Sequence, residues 1–193
     1  MKKIVVLASG SGSNFQAIID AVNRGDIKAR IAGLIASKPQ IGAVKRARDH
    51  NIPVAVLENP SDQDYTENLM AQLTHWNPDL IVLAGYLRKI PTEVVEAFSN
   101  QIINIHPSLL PKYGGKGFYG EHVHRAVLED GESESGCTVH FVNELYDKGD
   151  IIRQVKVPVR DSDTPETLAK RILAEEHKLL PSVISELLTS NRT

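Results

Sequence analysis

The chain has 193 residues, with 22 Lys and Arg against 24 Asp and Glu, and 41% of its residues are hydrophobic. A chain of this length buries roughly 70% of its unfolded surface as one domain, and near-neutral charge without a basic face argues against a nucleic-acid partner. A single cysteine, Cys137, rules out an internal disulfide and suits a reducing cytoplasm, while no stretch reaches the roughly 20 apolar residues of a membrane span.

Lys3–Ala8 reads as a continuous β-branched strand rather than a signal peptide, because its apolar core is only about five residues long. Ser9 to Asn14 form a small-residue turn into a helix from Asn14 to Asn23. Strand, turn and helix make the start of a βαβ unit. Glycine lets the backbone approach a ligand, and free N–H groups at a helix start favour a phosphate, so Gly12, Ser13 and Asn14 are candidate phosphate-binding residues. A turn that only caps the helix is the competing reading. The dinucleotide fingerprint fails, because Phe15 stands where its last glycine would be and the next strand, Arg30–Ala36, ends in Ser37 and Lys38 rather than an acid.

Gly42–His50 reads as a helix, Pro53–Leu57 as a short buried strand, and Ser61–His75 as a helix capped by Ser61 with Asp62 and Asp64 near its positive end. Asp79–Ala84 is a further apolar strand. The turn from Gly85 to Pro91 follows it. Leu87 and Ile90 there could wall a flat aromatic ligand; otherwise the turn is an ordinary strand-to-helix connection.

Ile102 to His106 is another strand, in which Asn104 and His106 share one face while Ile103 and Ile105 share the other. Pro107 donates no N–H and holds His106 extended, so the strand ends there and leaves the imidazole at its carboxyl end. In open α/β sheets ligands bind at that end. Lys112 to Gly120 holds four glycines in nine residues, the composition of a solvent-facing loop that admits a ligand. His122 and His124 have the spacing of a metal pair but lack Cys or a carboxylate set, and are expected as solvated histidines on a helix surface.

Ser135–Val142 is a strand, residues 143–150 a charged turn, and Ile151–Val157 a strand. Asp147 and Asp150 are both candidate acids in the turn, His140 is a near-site or packing histidine, and Cys137 an inert buried thiol. From Thr164 a long helix begins, with Pro165 in its first position and Leu168, Ile172, Leu179, Val183 and Leu187 at helical spacing. Pro181 should kink it near His177. Glu176 lies on this helix, where a solvated face is the competing reading. The alternation of strands and helices predicts an α/β fold: a Rossmann-like, open, twisted, mostly parallel sheet with flanking helices.

The run Asn104-Ile105-His106-Pro107-Ser108-Leu109-Leu110-Pro111 resembles the signature of the folate-dependent formyltransferases, and the resemblance extends from Val5 to about Pro181. Two branches carry that signature, one formylating 5-phosphoribosylglycinamide and the other methionyl-tRNA. The second has a further carboxyl-terminal domain, so the small substrate is expected. The resemblance implies a single formyltransferase domain over residues 1–193, with a phosphate-binding half at about 1–100 and a folate and catalytic half at about 101–193. It implies transfer from 10-formyltetrahydrofolate as co-substrate, in purine biosynthesis, by a cytoplasmic monomer or homodimer without a metal. It makes Asn104, His106 and Asp147 catalytic, with Asp147 orienting His106 and raising its pKa. Gly12, Ser13, Asn14 and Glu176 would bind the phosphate and amine of the substrate. Leu87, Arg88, Lys89, Ile90, Asn104 and Val142 would bind the folate. The alternatives are a formyltetrahydrofolate hydrolase and a non-catalytic nucleotide-binding module.

Overall fold

In the computed structural model, which describes residues 1–58 and 61–190, seven strands form one sheet in the order β3-β2-β1-β4-β5-β6-β7. The strands are β1 Lys2–Ala8, β2 Ala29–Ala36, β3 Val54–Val56, β4 Leu80–Leu83, β5 Ile102–His106, β6 Glu134–Phe141 and β7 Ile151–Pro158. β1 to β5 run parallel; β6 is antiparallel to β5 and β7 to β6. In the central strands Ile4–Ala8 of β1 and all of β4 are apolar and buried, as a parallel sheet with helices on both sides requires.

One face packs α1 (Ser13–Arg24), α2 (Gly42–Asp49), α5 (Glu121–Glu129) and α6 (Pro165–Thr189), through Phe15, Ile18, Val44, Val127, Leu168, Leu180 and Val183. The other packs α3 (Asp62–Trp76) and α4 (Thr92–Ala97), through Tyr65, Leu69, Leu73, Val94 and Val95. Ser61 caps α3 by accepting from the Asp64 amide, and Thr164 caps α6 in a reciprocal exchange with Thr167.

The strand order reverses between β1 and β4. There the Ser9 amide donates to the Gly85 carbonyl and the Leu87 amide to Ser9 Oγ, which ties the two turns together at the switch point where such sheets bind ligands. β5 borders this crevice, and its Asn104 lies directly opposite His140 of β6.

One expectation changes. β3 is a three-residue edge strand with Val56 exposed, not a buried strand, because no further strand covers it. α4, the helix reached by the strand-to-helix connection, is under two turns long and follows Pro91. α6 is the one long helix expected from Thr164, running through Pro181 with Leu179, Leu180, Val183 and Ile184 buried on either side of it. Residues 59–60 and 191–193 of the expected domain lie outside the described residues. Among the described residues no helix is long and apolar enough to cross a membrane.

Candidate active site

A cavity of about 590 Å³ opens at the carboxyl ends of β4 and β5, walled by Asn14, Leu87, Asn104, His106, the 115–120 loop, His124, Tyr146, Asp147, Leu173 and Glu176. Each of these comes from a strand end, a loop or one turn of a flanking helix, so the sheet edge gathers residues far apart in sequence.

His106 ends β5 and is 4% exposed. Its Nδ1 lies 3.6 Å from Asp147 Oδ2, and its Nε2 lies 2.7 Å from the Tyr113 carbonyl. Both ring nitrogens therefore face acceptors, an arrangement that only the imidazolium satisfies completely. Burial opposes that charge and is the larger influence, so the His106 pKa stands below the ordinary histidine value although Asp147 and the Tyr113 carbonyl push it up. The aspartate thus raises the His106 pKa as expected, and desolvation outweighs it.

Asp147 sits at a left-handed φ of 52° in the β6–β7 turn. Gly149 keeps the turn tight, since a Cβ there would fall 1.8 Å from the Phe141 carbonyl oxygen. Asp147 Oδ2 accepts from the Gly115 amide at 2.8 Å, and Oδ1 faces His140 Nε2 at 3.6 Å and Asn104 Nδ2 at 3.4 Å. Burial alone would raise this carboxyl; His140, His106 and the Gly115 amide together hold it below the usual range, so it is an anion. Asp150, the competing candidate, is exposed, and its backbone carbonyl accepts from Phe141.

His140 is fully buried, and its Nδ1 lies 2.7 Å from the Phe141 carbonyl. That contact makes Nδ1 a donor, so in neutral His140 Nε2 accepts from Asn104 Nδ2 at 3.1 Å. One N–H of Asn104 is thus pinned by its cross-strand partner. The other reaches Asp147 over a long 3.4 Å, so a substrate oxygen can claim it.

Across the cavity, Asn14 Nδ2 donates to Glu176 Oε2 at 2.7 Å, while Asn14 Oδ1 is buried without a partner. Glu176 is 6% exposed, and burial lifts its pKa to about 7 despite the Asn14 bond. The expected solvated alternative for Glu176 does not hold. Gly12 takes φ 74° ahead of α1, whose first turn has no side-chain cap, so its amides remain available to an anion. Asn14 faces the main cavity, whereas Ser13 faces an adjoining cleft with Gln16, Arg46 and His177.

The expected folate residues divide. Arg88, Lys89, Ile90, Asn104 and Val142 border a small recess with His140, Tyr146 and Asp147, and Leu87, 57% exposed, borders the main cavity. The Arg88 guanidinium lies 3.7 Å over the Tyr65 ring and bonds Asp62, which turns it outward.

Of the two histidines expected on a solvated surface, His122 is exposed but His124 is 4% exposed, because it shares the inward face of α5 with Val127. Burial, with His106 nearby, lowers its pKa to about 4, and its Nδ1 has no partner. Among the described residues no grouping of three or more His, Cys, Asp or Glu could hold a metal ion. Cys137 is fully buried in β6, with its pKa pushed up to about 12 by that burial.

A histidine–aspartate pair and an amide at the carboxyl end of a parallel sheet, facing a buried amide and carboxyl across one cavity, define an α/β enzyme of the group-transfer kind. The chain belongs to the formyl transferase family, whose model matches residues 2–184. It is 46% identical over 190 residues to the chloroplastic phosphoribosylglycinamide formyltransferase of Arabidopsis thaliana, covering 96% of this chain and 65% of that relative, so it spans less than two thirds of the plant protein. It is 39% identical over 194 residues to phosphoribosylglycinamide formyltransferase of Bacillus subtilis (strain 168), covering 99% of this chain and 97% of the relative. The crystal structure of phosphoribosylglycinamide formyltransferase from Bacillus halodurans superposes with a TM-score of 0.91 at 37% identity, covering 98% of this chain and 96% of that one.

Proposed function

We propose that the protein transfers the formyl group of 10-formyltetrahydrofolate to the primary amine of 5-phosphoribosylglycinamide, a step in purine biosynthesis. The observation that carries this reading is a single cavity with His106, Asp147 and Asn104 on one wall and Asn14 and Glu176 on another. Such a site can hold a formyl donor and an amine against each other, which replaces a bimolecular encounter by a positioned one.

In this scheme the α1 amides after Gly12, with Ser13, hold the substrate phosphate. The free Asn14 carbonyl and Glu176 receive the amine. With a proton affinity near neutrality, Glu176 can take the proton that an arriving ammonium must lose before it attacks. The amine nitrogen bonds to the formyl carbon, and the carbonyl electrons move to oxygen. His106 and the available N–H of Asn104 stabilise that oxyanion. A developing negative charge raises the proton affinity of His106 and offsets the burial that lowers it. When the intermediate collapses, the former amine nitrogen gives up its extra proton, His106 passes a proton to folate N10 as general acid, and the bond from carbon to N10 breaks, so a formyl group is exchanged for a proton. Side chains and the α1 amides handle the charges in this scheme.

In this reading Arg88, Lys89, Ile90 and Val142, which border the recess, and Leu87 on the main cavity hold the folate, with its flat pterin. The phosphate loop and residues 87–90 come from the first half of the chain and the catalytic residues and Glu176 from the second, so residues 1–193 are read as one domain working around one cavity. Both partners in this reading are small molecules, and a free buried Cys137 fits a cytoplasmic setting.

The phosphate assignment has a specific test. At Gly12 the positive φ and a Cβ position 2.7 Å from Ala43 Cα leave no room for a side chain. Gly12→Val is therefore expected to raise KM for the amine substrate by about ten-fold or more, with a much smaller change in KM for the folate. Equal effects on both would remove the phosphate from this turn.

A further inference from the structure

The reading of His106 as the proton-handling group leaves open what holds its ring, and the loop after Pro111 supplies a partner that is not among the expected site residues. Tyr113 adopts a left-handed φ of 54°, a conformation costly for a tyrosine, and its carbonyl lies 2.7 Å from His106 Nε2. Its hydroxyl donates to Asp130 Oδ2 at 2.8 Å and contacts Glu132 Oε1 at 3.2 Å, both in the turn that joins α5 to β6. Burial and these two carboxylates push the Tyr113 phenol up, which keeps it a donor. Its neighbour Lys112 bonds Glu132 at 2.6 Å, and the Lys112 carbonyl accepts from Ser108 Oγ at 2.6 Å. Tyr113 is therefore held both through its own hydroxyl and through the residue before it.

We propose that Tyr113 is the positioning residue of His106: its hydroxyl, anchored on Asp130 and Glu132, holds its backbone carbonyl where it receives Nε2–H, leaving Nδ1 on the Asp147 side as the nitrogen that gives and takes the proton. This rests on the formyl-transfer reading only in assigning His106 the proton. The chemistry follows from the ring itself. A carbonyl cannot donate, so at 2.7 Å it selects the forms protonated at Nε2 and excludes the tautomer with its proton on Nδ1 alone. In neutral His106 the Nδ1 lone pair then faces the cavity and the carboxylate, ready to be protonated. A free ring would divide its proton between the two nitrogens and lose that readiness.

The titratable groups around His106 are Asp147 in the β6–β7 turn, His140 on β6 and His124 on α5, with Glu121 and Glu176 further round the cavity wall. None of these bonds Nε2, so the tautomer reports on the Tyr113 carbonyl.

The test uses full-length protein labelled with ¹⁵N at histidine, without substrates, in Tyr113→Phe and in the double variant Asp130→Asn/Glu132→Gln, which keeps the tyrosine and removes the charges of its anchor. In both, the His106 ring should shift from the Nε2–H form toward a mixture of tautomers, and its titration should move to lower pH by roughly 0.5–1 unit, the scale of one lost hydrogen bond. In the assay kcat should fall about ten-fold with KM for both substrates little changed. An unchanged tautomer and titration in the variants would overturn the proposal, whether or not kcat fell. If Tyr113→Phe does not fold, the double variant decides alone. Absence of formyl transfer by the wild-type protein would refute the proposed function instead, since the spectra need no turnover.

Discussion

Replacing His106 with alanine is expected to lower turnover by at least about 10²-fold, the usual scale for a lost acid–base or oxyanion group. The ring is buried at the end of β5, its two nitrogens meet the Tyr113 carbonyl and Asp147, and His106 itself does not line the folate recess. Folate binding followed by calorimetry should therefore survive the substitution. A variant that loses binding along with turnover would make His106 a structural or binding residue and remove it from the chemistry.

Asp147→Asn is expected to have the next largest effect, a fall in turnover on the order of 10²-fold. Asparagine keeps the shape and can still accept from the Gly115 amide, so what disappears is charge. The sign of the accompanying pKa change follows from the balance at His106. Burial lowers that pKa and Asp147 raises it, so without the carboxylate the titration moves lower still and the imidazolium is populated only at more acidic pH. NMR titration of His106 checks this directly. Asp150→Asn, on an exposed side chain of the same turn, should change neither quantity. The reverse pattern would reassign the acid by three residues.

The parts of the fold written in local chemistry were legible. Apolar β1, the Ser61 and Thr164 caps and the stop at Pro107 each depend on neighbours in sequence, and all lie within a residue or two of their expected places. The alternation in β5 placed Asn104 and His106 on one face. What was not legible depends on pairing and burial. That His140 would lie opposite Asn104 and share Asp147 is set by the β5–β6 register, which no local pattern encodes. That β3 would be an edge strand depends on what does not pair with it. His124 could have been found: it stands three residues before Val127 and hence on the inward face of α5, whereas the metal-like spacing drew attention to both histidines as exposed groups. Whether His106 would be raised or lowered could not be read from its pairing with Asp147, because the deciding influence is the depth of the site.

The central claim is that the cavity joins a formyl donor to an amine acceptor rather than to water. The most direct measurement is release of tetrahydrofolate from 10-formyltetrahydrofolate by the purified protein, with and without 5-phosphoribosylglycinamide. Release is expected only when the amine is present, matched mole for mole by formylated product. Release at the same rate without the amine would contradict it and make the protein a formyltetrahydrofolate hydrolase.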